Sequence, residues 1–213
     1  MADYKKPDHW QLKARKEGYP ARSVYKLQEM DEKFSLLKFN LLKGGNLLDL
    51  GAAPGSWSLY VLRKTAKKEG VRLVSADLAP LSRQYDQGLF GGENFHFIQG
   101  DITDPAVKES IVSMGPYSLI LSDAAPATTG NRLIDSARSL ELAETVFSYA
   151  ENILAENGNL VIKMFQGGDS AQLLLKMKTL FKTAKSYKPQ ACRGDSFETY
   201  YLGIGKKRGT PVK

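Results

Sequence analysis

A chain of 213 residues with 42% hydrophobic content is sized for a single α/β domain over 1–213, able to bury roughly 70% of its unfolded surface. No apolar stretch approaches the ~20 residues of a membrane span, and a lone Cys192 with two distant histidines, His9 and His96, excludes an internal disulfide and a structural zinc pattern. The net charge of +7 is uneven: residues 1–26 carry seven Lys/Arg against three Asp/Glu, residues 176–213 ten against two, and the middle is acidic.

The N-terminal stretch to about residue 40 reads as a basic helical extension. Beyond it, Asn46–Leu50, Val71–Ala76, Phe95–Gln99, Tyr117–Ser122 and Asn159–Met164 read as five short strands. Their near-continuous hydrophobicity fits strands covered on both faces. Helical patterns lie between them. The clearest is about Leu133–Leu154, where Leu140, Ala143, Val146, Phe147, Ala150 and Leu154 share a stripe and Asn157-Gly158 gives a stop signal. A further helix ends at Lys176–Phe181, and Glu198–Ile204 is the last strand. Strands alternating with helices predict a doubly wound, mostly parallel sheet. Met1–Pro7 and Lys206–Lys213 are expected to be mobile. The polar, signal-free N-terminus predicts a soluble, cytoplasmic protein with no membrane association.

Asp49, Asp77, Asp101, Asp123 and Lys163 stand at or just beyond the ends of the five runs. Ligands of open parallel sheets bind beyond the carboxyl ends of the strands. A single Asp after a strand is ordinarily a turn or helix cap; five polar residues at one edge point to a site. Two basic ends around an acidic centre suit a cofactor core flanked by segments that bind a polyanion.

Asp49–Trp57 (DLGAAPGSW) supplies the turn after the first strand. Gly51 and Gly55 permit a tight turn and close approach of a ligand to the backbone, and Pro54 suits a first helical position. The pattern is not G-x-G-x-x-G, because Ala53 occupies the second glycine position, so a nucleoside is expected there rather than a pyrophosphate. Asp77 is placed to bind ribose hydroxyls and Asp101 an adenine amino group. Together these describe S-adenosylmethionine as well as any adenosine ligand, and Asp49 and Asp123 would suit its cationic sulfonium and amino group better than phosphates. Trp57 packs either beside the cofactor or in the core, and Asp49 is expected to support the site from behind.

Taken together, Ala21–Leu27 (ARSVYKL), Asp49–Trp57, Ser122–Pro126 (SDAAP), Val161–Gly167 (VIKMFQG) and Arg193–Tyr200 (RGDSFETY) resemble the FtsJ family of RNA ribose 2′-O-methyltransferases, from about Gln11 to Gly205. The resemblance implies a seven-stranded Rossmann-like sheet with an antiparallel last strand. It also implies a methyl-transfer tetrad, carried here by Lys26, Asp123, Lys163 and Glu198. A lysine serves as a base only once burial or a neighbouring ammonium lowers its pKa. Lys163 would be that base and Lys26 the neighbour, while Asp123 and Glu198 orient both amines and push the other way. RNA contacts are expected from Lys13, Arg15, Lys16, Arg22 and Arg193, with Tyr19, Tyr25 and Tyr200 as stacking candidates and Ser196 at the substrate ribose.

Three departures from the family pattern stand out. Ser56 replaces a frequent glycine, Gln84–Glu93 lengthens the stretch between Asp77 and Asp101, and Asp195 and Phe197 occupy positions often basic in the family. The expected substrate is large-subunit ribosomal RNA in the assembled subunit, modified by a monomer. Its rivals are tRNA modification and a non-catalytic ribosome-assembly factor. A nicotinamide dehydrogenase is disfavoured by the missing glycine pattern.

Overall fold

The apolar runs form one seven-stranded sheet in the computed structural model, which describes residues 8–38, 45–167, 169–194 and 196–209. In chain order the elements are α1 (His9–Lys16), α2 (Val24–Phe34), β1 (Asn46–Leu50), α3 (Ser56–Thr65), β2 (Arg72–Asp77) and β3 (Phe95–Gln99). They continue with α4 (Pro105–Ser113), β4 (Tyr117–Ser122), α5 (Arg132–Ile153), β5 (Leu154–Phe165), α6 (Ser170–Leu180), β6 (Phe181–Tyr187) and β7 (Glu198–Lys206).

The sheet order is β3-β2-β1-β4-β5-β7-β6. The pairs β1–β2, β2–β3, β1–β4 and β4–β5 are parallel, and β7 runs antiparallel to both β5 and β6. Side chains alternate across the sheet. Leu47, Leu73, Leu119, Leu121 and Val161 pack with α1, α2 and α3 on one face. Leu48, Val74, Ile120, Leu160 and Ile162 pack with α4, α5 and α6 on the other. Two covered faces require apolar residues at both parities, which is why β1, β2, β4 and β5 read as unbroken hydrophobic runs, whereas β3, read the same way, lies at the sheet edge and has no buried residue.

Four expectations are corrected. The stretch Lys176–Phe181 ends as a helix at Leu180, and Phe181 opens β6 instead, a strand absent from the sequence reading. Only Phe181 of β6 is buried, as suits an outermost strand carrying Lys182 and Lys185. Helix α5 stops at Ile153, before Asn157-Gly158; those residues lie within β5, with Asn157 at φ 62, where the register against β4 jumps. Pro54 is not a first helical residue, because Gly55 donates to the Ala52 carbonyl to close a turn and is itself the N-cap at φ 108. Lys206 is no part of a loose tail: it closes β7, buried, with all three ammonium donors on the carbonyls of Ala150, Glu151 and Leu154 at 2.7–2.9 Å. Burial holds its pKa below the usual lysine value. Met1–Pro7 and residues 210–213 lie outside the described residues.

The described part of the N-terminal extension belongs to the core. Ala14 of α1 and Val24, Leu27 and Met30 of α2 are fully buried against α3. No described helix is long and apolar enough to cross a membrane.

Candidate active site

The order β3-β2-β1-β4-β5 reverses direction between β1 and β4, opening a crevice beyond their carboxyl ends. A cleft of about 250 Å³ occupies it, lined by Gly51, Ala53, Asp77, Asp101 and Asp123 with the apolar Leu78, Ile102 and Leu142. Gly51 has φ +74, and a Cβ there would lie 2.4 Å from the Ala124 backbone, so the cleft wall requires glycine. Asp77 orders the rim: its oxygens accept from Ala53 N at 2.9 Å and Ala79 N at 2.8 Å. Asp101 accepts twice from Thr103, both times on one oxygen, and these bonds hold its pKa below the usual carboxylate range.

Asp49 lies fully buried behind the crevice. Ser58 donates to its Oδ2 at 2.6 Å, and Oδ1 has no hydrogen-bond partner among the described residues. Burial, reinforced by the charges of Asp123 and Asp77, pushes its pKa up to about 7. Asp77, Asp101 and Asp123 along the cleft lining favour a cationic ligand there.

Gly55 and Trp57 stand outside the cleft lining. A Cβ on Gly55 would meet the Phe90 ring at 2.8 Å, and Phe90 in turn stacks on Phe95 at 4.8 Å. The Gln84–Glu93 insertion is therefore anchored by Phe90 packing on the turn. Trp57 is a core residue, 5.9 Å from the Tyr200 ring, whose indole N–H donates to the Ser23 carbonyl at 2.8 Å. The Ser56 hydroxyl accepts from Ala21 N at 2.8 Å and donates to its carbonyl at 3.1 Å. Ser56 and Trp57 thus fasten the approach to α2, whose first turn carries Lys26.

Lys26, Glu198, Lys163 and Asp123 converge as a chain of opposite charges. Lys26 Nζ is 2.7 Å from Glu198 Oε1, while Lys163 Nζ is 3.8 Å from Glu198 Oε2 and 3.2 Å from Asp123 Oδ1. The reversed β7 makes this possible: its first residue, Glu198, lies opposite Phe165 at the end of β5, two residues beyond Lys163. Burial opposes ionisation of Asp123 and Glu198, yet the ammonium groups prevail and hold both below the usual carboxylate range. Burial lowers the Lys163 pKa too, but Asp123 and Glu198 outweigh it, so the net direction is upward. In this arrangement Lys163 is an ammonium, with the carboxylates deciding the balance.

Two further groups, in roles the sequence did not suggest, complete the cluster. The Tyr200 hydroxyl donates to Asp123 Oδ1 at 2.7 Å from full burial, and the buried Cys192 thiol, pushed up to about 12 by burial and the Glu198 charge, stays protonated beside Glu198. Tyr25 is likewise packed, donating to Glu17, so neither Tyr25 nor Tyr200 presents a stacking face. Arg22 ties Asp8 and the Ala191 carbonyl. Arg63 covers the Tyr19 ring at 4.5 Å.

A second cleft, of about 540 Å³, opens on the other side of the quartet. Lys26 and Glu198 line it with Arg22, Arg132, Arg193, Ser196, Phe165 and Phe197. Its rim at Thr128–Gly130 is folded round the buried Asp135, which accepts from Thr129 N, Thr129 Oγ1 and Gly130 N. The four charged residues thus separate a carboxylate-lined cleft from an arginine-lined one. Asp195 lies outside the described residues.

Residues 19–206 match the model of the FtsJ-like methyltransferases, a span that takes in the glycine turn, both clefts and the quartet. The chain belongs to the FtsJ-like methyltransferase family. It is 49% identical over 205 residues to the Ribosomal RNA large subunit methyltransferase E of Treponema denticola, covering 96% of this chain and 97% of that one. The protein of the same name from Borreliella afzelii is 45% identical, covering 92% and 96%. Among solved structures, a Plasmodium falciparum protein described as a ribosomal RNA methyltransferase superposes with TM-score 0.71 at 28% identity, covering 88% of this FtsJ-like chain and 98% of that one. Human Methyltransferase-like protein 13, solved in complex with SAH, shares the fold with TM-score 0.57 at 14% identity.

Proposed function

We propose that this FtsJ-like chain, acting as a monomer, transfers a methyl group from S-adenosylmethionine to a ribose 2′-hydroxyl of RNA, with large-subunit ribosomal RNA as substrate. The observation that carries this reading is the quartet's position between two clefts of opposite character. The names of the Treponema and Borreliella relatives support the choice of RNA.

The carboxylate-lined cleft fits the methyl donor on its own chemistry. Gly51 keeps its wall clear of side chains, Asp77, Asp101 and Asp123 supply anionic acceptors, and Leu78, Ile102 and Leu142 supply apolar surface. Bound there, S-adenosylmethionine supplies an electrophilic methyl group on a cationic sulfur. Arg22 and Arg193 line the opposite cleft and would hold RNA phosphates, orienting the ribose towards Lys163. Lys163 Nζ takes the proton of the 2′-hydroxyl as the oxygen attacks, a role open only to its small neutral fraction. Glu198 and Asp123 hold that amine in line, and Lys26 neutralises Glu198. A positioned base contributes about 10²–10⁴-fold, and fixing both reactants in line contributes further.

The test is transfer of labelled methyl to unmodified large ribosomal subunits, free ribosomal RNA and tRNA, with Lys163→Ala beside the wild type and the labelled nucleotide identified after digestion. Ribose label in large-subunit RNA, lost in the variant, is expected. Label in tRNA would move the substrate and keep the chemistry. No label in any RNA despite cofactor binding would overturn the reading in favour of a non-catalytic assembly factor.

A further inference from the structure

The arginine-lined cleft contains a group its phosphate-binding role does not use. Two aromatic rings line it: Phe165 is buried, and Phe197 is half-buried. The rings meet at 4.8 Å between centroids, tilted by 54°, so Phe165 backs one side of Phe197. Over Phe197 lies the guanidinium of Arg132, 5.2 Å from the ring centroid. Arg132 is an exposed residue on the first turn of α5, so its cover on Phe197 is exchangeable.

The backbone that carries the ring is also held in place. The Phe197 carbonyl accepts from Gln166 N at 2.9 Å, extending the β5–β7 ladder one step past Glu198. On its other side, the Ser196 carbonyl accepts from Lys188 Nζ at 2.6 Å, and the Ser196 hydroxyl accepts from Glu198 N at 3.2 Å. Phe197 therefore keeps a fixed position one residue from Glu198, whose carboxylate touches both lysines of the quartet. The base of a nucleotide leaves its sugar at the carbon next to the one bearing the 2′-hydroxyl. A ribose presented to Lys163 from this cleft thus carries its base within reach of Phe197.

The geometry points to Phe197 as the platform on which the base of the target nucleotide stacks, layered between the phenyl ring and the Arg132 guanidinium. Bases taken out of their stack are received on aromatic rings and on arginine planes alike. Such a platform tolerates any base, because every base has a π-face. This rests on the proposed RNA ribose methylation and adds a residue that seats the nucleotide. In this role Phe197 holds the base and takes no part in proton or methyl transfer.

The test compares wild type, Phe197→Leu and Phe197→Tyr on unmodified large subunits. It measures kcat, subunit affinity by filter binding, S-adenosylhomocysteine affinity and thermal midpoint. Leucine keeps apolar contact with Phe165 and loses the π-face; tyrosine keeps both. Because contacts spread over many phosphates hold the subunit, losing one stack empties the seated state without releasing the RNA. Expected is a fall in kcat of about tenfold or more for Phe197→Leu, within the worth of one base–aromatic stack. Subunit and S-adenosylhomocysteine affinities stay within about threefold, and Phe197→Tyr stays near wild type. Wild-type kcat in Phe197→Leu, or an equal loss in Phe197→Tyr, would overturn the platform. A wild type inactive on every RNA would instead overturn the methyltransferase reading on which it stands.

Discussion

Replacing Glu198 by Gln keeps the shape of the quartet and removes one of the two carboxylates that hold Lys163 protonated. The separation of Lys163 Nζ from Glu198 Oε2 is 3.8 Å, and both side chains are about nine-tenths buried. At that distance, with an effective dielectric constant near 20, the attraction is about 4 kcal/mol. A pH unit corresponds to about 1.4 kcal/mol. In the wild type the Lys163 pKa is raised, so the neutral amine is scarce at pH 7–9 and its population grows tenfold per pH unit. Single-turnover methyl transfer should therefore climb log-linearly across that window without a plateau. In Glu198→Gln, burial and the nearby Lys26 charge act against Asp123 alone, and the profile should move to lower pH by more than one unit. The limiting rate should fall as well, because Lys26 loses its partner at 2.7 Å. Breaking a buried pair costs roughly 3–5 kcal/mol, so the comparison belongs well below the variant's thermal midpoint. A wild-type plateau below pH 9, or superimposable profiles, would refute Lys163 as the base.

Two further outcomes are expected. Asp77→Ala frees Ala53 N and Ala79 N together, so calorimetry should show S-adenosylmethionine binding weakened about tenfold or more, whereas an unchanged Kd would reduce Asp77 to a cap. Lys206→Met strands three carbonyls at the end of α5, and urea unfolding should show a loss of about 2–4 kcal/mol with methyl transfer intact at low temperature; a loss under about 1 kcal/mol would mean water replaces the ammonium.

What could be read from residues alone divides by range of interaction. Strands β1, β2, β4 and β5 announce themselves because burial on two faces forces unbroken apolar runs. Strand β6 does not, since an edge strand with lysines on it has the composition of a helix face. Aspartates at strand ends mark the crevice through local position. Lys26 and Glu198 emerge only from the resemblance, because one arrives on a helix from outside the sheet and the other opens a reversed strand. The structural roles of Ser56, Phe90, Asp135 and Tyr200 were not legible for a related reason: each acts through a partner that the fold, not the neighbouring sequence, provides. Ser56 illustrates it best, standing out as a missing glycine and proving to be the hydrogen-bonded clasp on Ala21.

The reversed course of β7 has an evolutionary consequence. Glu198 is locked by an uninterrupted ladder of six residue pairs with β5, whereas the connection from β6 that precedes it, residues 188–197, carries Arg193, Ser196 and Phe197 into the arginine-lined cleft. On the proposed function, chemistry and target choice are therefore encoded on adjoining stretches under different constraints. Substitutions in the connection would then redirect the protein to another RNA while the ladder keeps the reactive register, so substrate range would drift without passing through an inactive ancestor.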